Sequence, residues 1–72
     1  TTADLDGEVS DLTERELGVL RLVATGLTDG EVAEQLYISA RTVGRHLSSI
    51  YSKLGVNSRT AATRVAIERS LI

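Results

Sequence analysis

One short pattern recurs three times along the 72 residues and marks where helices can begin. An apolar residue precedes a hydroxyl residue, and three positions later a Glu or Thr is followed by another apolar residue, at positions 12–17, 27–32 and 38–43. The first two copies form a capping box with an apolar staple, in which the hydroxyl and the glutamate each accept a backbone hydrogen bond from the other residue. The third copy keeps its cap, Ser39, but has Thr42 in place of the glutamate.

With Ser58 as a fourth, plainer cap, the pattern predicts four helices at about residues 14–25, 29–36, 40–54 and 59–69. Gly26 and Gly55 stand where a left-handed residue ends a helix. Polar and apolar residues nowhere alternate with period two for the length of a strand, so the predicted fold class is all-α. The short turn between the second and third helices is typical of a helix-turn-helix, with an αα-hairpin in a plain bundle as the alternative.

The core of such a domain must be aliphatic, because the chain contains no Phe, Trp or Met and only two Tyr. Helical spacing predicts an inward stripe on each helix. We expect Tyr37 to pack in the turn. The predicted core residues are Leu17, Val19, Leu20, Val23 and Ala24; Val32, Ala33 and Leu36; Val43, Leu47, Ile50 and Leu54; and Ala62, Val65, Ala66 and Leu71.

Several kinds of protein and site are disfavoured by what the sequence lacks. Without cysteine there is no disulfide framework or thiolate metal site, which fits a reducing cytoplasm. No apolar run approaches the roughly 18 residues of a membrane span, and no signal sequence is evident. No Gly-rich phosphate loop, carboxylate pair or metal-ligand spacing occurs, so we expect neither an enzyme nor a cofactor. Residues 1–10 are expected to be a frayed terminus or linker stub, and residues 11–72 the folded domain.

Charge is divided unequally between the two halves of the chain. Residues 1–36 hold nine acids against two arginines, a net charge of −7, whereas residues 37–72 hold six bases against one acid, a net charge of +5. The formal total of −2 conceals this asymmetry. A basic second half favours a polyanionic partner such as nucleic acid.

The third predicted helix concentrates this positive charge on one face. With Val43 directed to the core, Arg41, Arg45, Ser48 and Ser52 lie opposite, and the helix carries no carboxylate. A helix fits the major groove of B-DNA, where Arg can bind guanine and hydroxyls can hold phosphates. The shoulders of this face hold Gly44 on one side and Thr42, His46, Ser49 and Lys53 on the other.

Thr42 fits the same interpretation, because a glutamate there would repel the phosphates that a helix N-terminus attracts. Two alternatives remain. The basic face could be an accident of composition, or the domain could be a helical interaction module that docks an acidic partner. Docking requires an exposed apolar anchor, and the third helix has none outside its core stripe.

The stretch LTERELGVLRLVATGLTDGEVAEQLYISARTVGRHLSSIYSKLGVNSRTAA resembles the LuxR/GerE-type (NarL/FixJ-like) DNA-binding domain of bacterial transcription regulators. The resemblance rests on the LTxRE opening, the G-L-T step before a VA-containing helix, the S-x-x-T-V-x-x-H-L stretch and the K-L-G-V-x-S-R close. It covers residues 12–72 and implies a third helix in the major groove and a fourth helix that pairs two copies. Use as a promoter-recognising segment of a sigma factor is a further alternative with the same groove chemistry.

The resemblance also implies roles for individual residues. Base contacts fall on Arg41, Gly44, Arg45 and Ser48, although Gly44 and Ser48 depart from the family pattern. Phosphate contacts fall on Thr28, Thr42, Ser49 and Lys53. His46 is not among these family positions, and its place at the edge of the core stripe predicts either packing or a phosphate contact. The expected outward residues of the fourth helix, and so the dimer contacts, are Thr60, Thr63, Arg64 and Ile67. The alternative for Ile67 is that it turns inward and closes the core under the first helix.

The implied partners are double-stranded DNA, a second copy of the chain bound mainly on DNA, and RNA polymerase as a further candidate. The implied location is the bacterial cytoplasm. Two neighbouring side chains have open assignments. For Arg59 we favour an ion pair with Glu16 over a phosphate contact, and Tyr51 either packs beside the core or offers its hydroxyl to DNA.

Overall fold

The computed structural model of the chain describes residues 12–72, which form four α-helices and no strand. The predicted all-α class is therefore confirmed, while the acidic segment at residues 1–10 lies outside the described residues. The first and fourth helices end one residue before the predicted position, because Thr25 and Arg69 act as C-caps. The helices are α1 (Glu14–Ala24), α2 (Asp29–Leu36), α3 (Ala40–Leu54) and α4 (Arg59–Glu68).

Each helix begins at the side chain predicted to cap it. Thr13 accepts from the backbone N–H of Glu16 at 3.1 Å, and its own N–H donates to the Glu16 carboxylate at 2.9 Å. The second capping box, at Thr28, has the same two bonds at 3.2 and 2.8 Å. Ser39 and Ser58 each accept one backbone N–H, at 3.0 and 3.1 Å. These bonds satisfy donors that the first turn of a helix leaves without partners.

All four helices end in one motif: a left-handed residue followed by an apolar residue. The apolar residue donates its backbone N–H to the carbonyl five positions earlier, as in a Schellman ending, and its side chain packs against or within the core. Two of the left-handed residues are glycines, as predicted, whereas the other two are not. The four pairs are Gly26–Leu27, Tyr37–Ile38, Gly55–Val56 and Ser70–Leu71.

Tyr37 does not pack in the turn, so this prediction is wrong. Its backbone is left-handed, with φ 59° and ψ 42°, and its side chain is 95% exposed. The next residue, Ile38, occupies the inward position instead and packs against the core. Ile38, and not Tyr37, therefore anchors the turn between α2 and α3 to the core.

The core is aliphatic and centred on α3, whose predicted stripe of Val43, Leu47, Ile50 and Leu54 is entirely buried. On α1 the fully buried residues are Val19, Leu20 and Val23, whereas Leu17 and Ala24 are only partly buried. The buried face of α1 is therefore displaced from the predicted stripe. Glu16 lies on the same buried side of the helix.

Five of the six possible pairs among these four helices pack against each other. α3 contacts α1, α2 and α4, and α1 contacts the other three helices. In contrast, α2 and α4 do not pack against each other. The α2–turn–α3 unit therefore packs on α1, and α4 packs against both α1 and α3.

Candidate nucleic-acid interface

The face of α3 that points away from the core is basic, and nothing within the described part of the chain neutralises it. Arg41, Arg45 and Ser48 are exposed. The ion pairs of residues 12–72 are Glu16–Lys53 and Asp29–Arg59, so neither Arg41 nor Arg45 has a carboxylate partner there. We call Arg41, Gly44, Arg45 and Ser48 the recognition face. The predicted base-contact residues therefore share one outward surface.

Gly44 is not required by the packing of α3. A Cβ atom at this position would meet no atom within 4 Å, and its φ is not among the positive values of the chain. The glycine thus leaves a gap in the recognition face that a side chain could fill without a clash. Its cost to the helix is about 1 kcal/mol relative to Ala.

Two hydroxyls meet at the N-terminus of α3. The Ser39 and Thr42 oxygens are 2.9 Å apart, and Ser39 also accepts the backbone N–H of Thr42. One hydroxyl proton is used between the two oxygens, and the other remains able to donate to an anion. Ser39, predicted only as a cap, therefore belongs to the same polar cluster as the predicted phosphate contact Thr42.

Lys53, another predicted phosphate contact, is held by a buried carboxylate. Its ammonium lies 2.8 Å from Glu16 Oε1, and the side-chain exposures are 32% for Lys53 and 7% for Glu16. The pair joins the C-terminal turn of α3 to the capping box of α1. Lys53 therefore has a structural role in addition to any contact with DNA.

The pKa of Glu16 reflects this environment. Burial raises the pKa, but hydrogen bonds from Lys53, the Thr13 backbone and Ser49, with the charge of Lys53, outweigh burial and lower the pKa from 4.5 to about 2. The carboxylate accepts enough hydrogen bonds to favour its charged form. Glu16 is accordingly ionised at neutral pH and keeps Lys53 in place.

Arg59 forms an ion pair, but the predicted partner is wrong. The guanidinium donates to the Asp29 carboxylate at 2.8 Å and to the Leu27 carbonyl at 2.7 Å. Glu16, the expected partner, is bound to Lys53 instead. The two acceptors of Arg59 flank Thr28, the predicted phosphate contact on α2, which is exposed. No sequence pattern points to Asp29, because the pairing depends on how α4 is placed beside the start of α2.

The remaining shoulder residues of α3 lie at the border between core and solvent. His46, Ser49 and Tyr51 are half-buried, and Tyr51 packs against the core. The packing alternative for Tyr51 is thus observed. Ser49 contributes to the lowering of the Glu16 pKa.

The outward side of α4 borders an open, mainly apolar depression of about 590 Å³. Ile67 is 62% exposed there, and Thr60 and Arg64 are also exposed. Thr63 is half-buried, and its hydroxyl donates to the Arg59 carbonyl at 3.0 Å. The predicted dimer contacts therefore lie on one side of α4, with Ile67 at the surface.

Residues 12–72 contain neither a cluster of metal-ligating side chains nor a membrane-spanning helix. No group of three or more potential metal-ligating side chains occurs among these residues. None of their helices is both long and apolar enough to cross a membrane.

The comparisons with known proteins agree on one family. The profile of "Bacterial regulatory proteins, luxR family" (GerE) matches residues 10–66. A "Nitrate/nitrite response regulator protein homolog" of Haemophilus influenzae is 46% identical over 65 residues, covering 90% of this chain and 31% of the relative. The "Transcriptional regulatory protein LnrK" of Bacillus subtilis is 53% identical over 55 residues, covering 76% of this chain and 25% of the relative.

A solved structure has the same fold. The crystal structure of response regulator ChrA, from a heme-sensing two-component system, matches with a TM-score of 0.81 and 46% identity. The match covers 85% of this chain and 30% of ChrA. This chain thus spans about a third or less of the relatives described, which are regulators of transcription or response regulators by name. The resemblance seen in the sequence is confirmed, and the chain belongs to the LuxR family of bacterial regulatory proteins.

Proposed function

We propose that this chain binds double-stranded DNA in a sequence-specific manner, with α3 in the major groove, as the output domain of a bacterial transcription regulator. The observation that carries the proposal is the recognition face, where two exposed arginines have no carboxylate partner within residues 12–72. Family membership implies DNA binding in general. The recognition face supplies a means of distinguishing sequences.

The dimensions and chemistry of α3 suit this role. A helix is about 10–12 Å wide with its side chains, and the major groove is about 12 Å wide. In the groove, Arg41 and Arg45 can each place a planar fork on the O6 and N7 atoms of guanine. The Ser48 hydroxyl can donate a hydrogen bond to an acceptor group of a base or accept one from a donor group.

Phosphate contacts would surround this face. The N-termini of α2 and α3 present backbone N–H groups and the hydroxyls of Thr28, Ser39 and Thr42, and a helix N-terminus favours an anion. Ser49, His46 and Lys53 lie along one shoulder of α3. Such contacts position a protein on DNA and leave sequence discrimination to the groove.

Docking of an acidic protein is less well supported. Such interfaces depend on buried apolar or aromatic anchors. The exposed large apolar residues of the described part are Tyr37, Ile67 and Ile72, and none of them lies on α3. A basic face without an anchor suits the phosphates and base edges of DNA better.

Pairing of two copies through α4 is a further part of the proposal. The exposed Ile67 and the adjacent apolar depression offer a small surface that can meet its own copy about a two-fold axis. Two recognition helices would then enter the major groove about one helical turn apart, near 34 Å. The longer regulator would act in the cytoplasm, with RNA polymerase as a further partner.

A binding-site selection from random duplex DNA tests the proposal. We expect one enriched sequence, and binding to it should weaken steeply between about 50 and 200 mM salt as condensed counterions are released. A shuffled duplex of equal length measures nonspecific binding. Arg69→Ala is a matched control, because Arg69 is exposed at the far end of α4. Enrichment of no sequence, together with binding of an acidic peptide at about 50 mM salt, would favour the docking module instead.

A further inference from the structure

Arg59 is the side chain through which α4 reaches the start of α2. The two helices do not pack against each other, yet the Arg59 guanidinium spans the gap with bonds of 2.8 Å to Asp29 and 2.7 Å to the Leu27 carbonyl. A single arginine thus holds both residues that flank Thr28. That fork links this N-terminus directly to α4, in addition to the packing of both helices on α1 and α3.

The charges at this position create a problem for a phosphate contact. Thr28 caps α2 and is exposed, but Asp29 follows it immediately and is 43% exposed at its side chain. An unpaired carboxylate there would repel a phosphate bound by the Thr28 hydroxyl and the first N–H groups of α2. Arg59 removes the part of the repulsion that comes from Asp29, while the Glu31 carboxylate, 2.8 Å from the Thr28 N–H, keeps its charge.

We propose that Arg59 is a positioning residue for DNA binding: it neutralises Asp29 and fixes Leu27, Thr28 and Asp29 so that the N-terminus of α2 can receive a phosphate. The inference rests on the proposed DNA-binding function. It assigns Arg59 an action through Asp29 and the α2 backbone, without a contact of its own to DNA. The same ion pair in a purely structural role would affect folding and leave the affinity of the folded domain unchanged.

Three variants separate these roles. Arg59→Gln removes the positive charge and leaves Asp29 free, so we expect the affinity for the selected duplex to fall roughly tenfold, as expected for a like charge near a phosphate. Arg59→Gln combined with Asp29→Asn removes the repulsion as well, and should recover most of that loss. Arg59→Lys keeps a charge for Asp29 but cannot bind two acceptors in the same planar geometry, so we expect an intermediate affinity.

The controls keep the test distinct from that of the proposed function. Arg69→Gln removes one positive charge elsewhere on α4 and should bind the selected duplex as the wild type does. Thermal melting of each variant, with binding measured well below the lowest Tm, separates loss of fold from loss of affinity. A wild-type chain that binds no selected duplex would refute the proposed function.

Two results would refute the inference while the wild type still binds. In the first, Arg59→Gln binds the duplex as tightly as the wild type. In the second, Arg59→Gln binds weakly but the added Asp29→Asn recovers nothing, so that repulsion by Asp29 is not the cause.

Discussion

Arg45 lies near the middle of the recognition face, exposed and without a carboxylate partner in residues 12–72. We predict that Arg45→Ala weakens binding to the preferred duplex by about 1–3 kcal/mol and flattens the preference at one base pair. Affinities for a set of single-base variants of the site provide the measurement. Arg69→Ala serves as the control. A uniform loss across all duplexes would mean that Arg45 holds a phosphate and that another residue distinguishes the bases.

Glu16 makes the stability of the domain depend on pH in acid. Its folded pKa of about 2 lies below the ordinary 4.5, so its contribution is complete above about pH 4.5 and is lost as the pH falls toward 2. The shift corresponds to at most about 3 kcal/mol. We predict that Glu16→Gln reduces stability at pH 7, and that its difference from the wild type shrinks over this pH range.

Chemical denaturation at a series of pH values measures the effect, with Glu14→Gln, an exposed glutamate of the same helix turn, as the control. A constant difference between Glu16→Gln and the wild type would contradict the assignment. If Lys53 also holds a phosphate, Lys53→Ala should weaken binding to all duplexes alike. That change leaves Glu16 without its cation at a cost of about 1–3 kcal/mol, so any uniform loss of DNA affinity must be corrected for unfolded protein.

The helix ends are the elements where residue choice and backbone conformation disagree. Tyr37 and Ser70 adopt left-handed conformations that favour glycine, and Tyr37 gains no burial in return. We predict that Tyr37→Gly stabilises the domain by roughly 0.5–1 kcal/mol, because it relieves this strain. For a domain of this size the Tm should rise by several degrees.

Tyr37→Ala is the matched control for that prediction. It removes the aromatic ring but keeps a Cβ in the left-handed position, so its Tm should remain close to that of the wild type. An equal rise for both variants would show that the ring itself, and not the backbone, destabilises the turn.

Gly44 is the opposite case, because neither the backbone conformation nor the packing of α3 requires a glycine there. We predict that Gly44→Ala stabilises the domain by about 1 kcal/mol, since no atom lies within 4 Å of the new methyl group. Thermal melting measures the effect, and Gly26→Ala, at φ +100°, should destabilise instead.

Binding of Gly44→Ala to the preferred duplex then decides the role of the gap that Gly44 leaves in the recognition face. Weaker binding by Gly44→Ala means that the glycine lets α3 approach a base edge, and equal binding means that it contributes no contact.

Local features of the sequence predict the helices well, because the signals act within six residues. Thr13, Thr28, Ser39 and Ser58 each cap the helix that follows, and helical spacing identifies the buried stripe of α3. The left-handed conformations of Tyr37 and Ser70 escape prediction because neither residue is a glycine. A glycine is the usual signal for a left-handed cap.

The long-range polar contacts could not be predicted in the same way. Lys53 reaches Glu16 across 37 positions and Arg59 reaches Asp29 across 30, and both partners follow from how the helices are placed. The recognition face can be proposed from spacing and resemblance. Only the three-dimensional structure shows which neighbouring basic residues are paired with carboxylates of the same chain.

Among the described residues, the bases are concentrated on α3 and α4 and the acids on α2, whereas α1 carries two of each. Such a division gives the domain a charge dipole that can orient it toward DNA before contact. With Ile67 at the surface, α4 remains available for a second copy once the first is bound. For the proposed pairing of two copies, the small size of this surface favours contact on DNA over a stable dimer in solution.

We predict that Ile67→Glu leaves the Tm near the wild-type value and abolishes cooperative binding to a duplex with two inverted half-sites. Binding to a single half-site should be unchanged, because α3 is not altered. Titrations of both duplexes measure the effect, and Glu68→Gln, a neighbouring exposed residue, is the control. Retained cooperativity in Ile67→Glu would place the pairing surface elsewhere.

The recognition face takes no part in helix capping, core packing or the two ion pairs of the described residues. If the proposed function holds, substitutions at these few positions can change the DNA sequence that is bound while the core, the helix caps and the two ion pairs stay intact. After a gene duplication, one copy can retain its original operator while the other acquires a new one by a short series of viable steps. The separation of these two sets of residues makes the domain readily reusable in the evolution of regulatory networks.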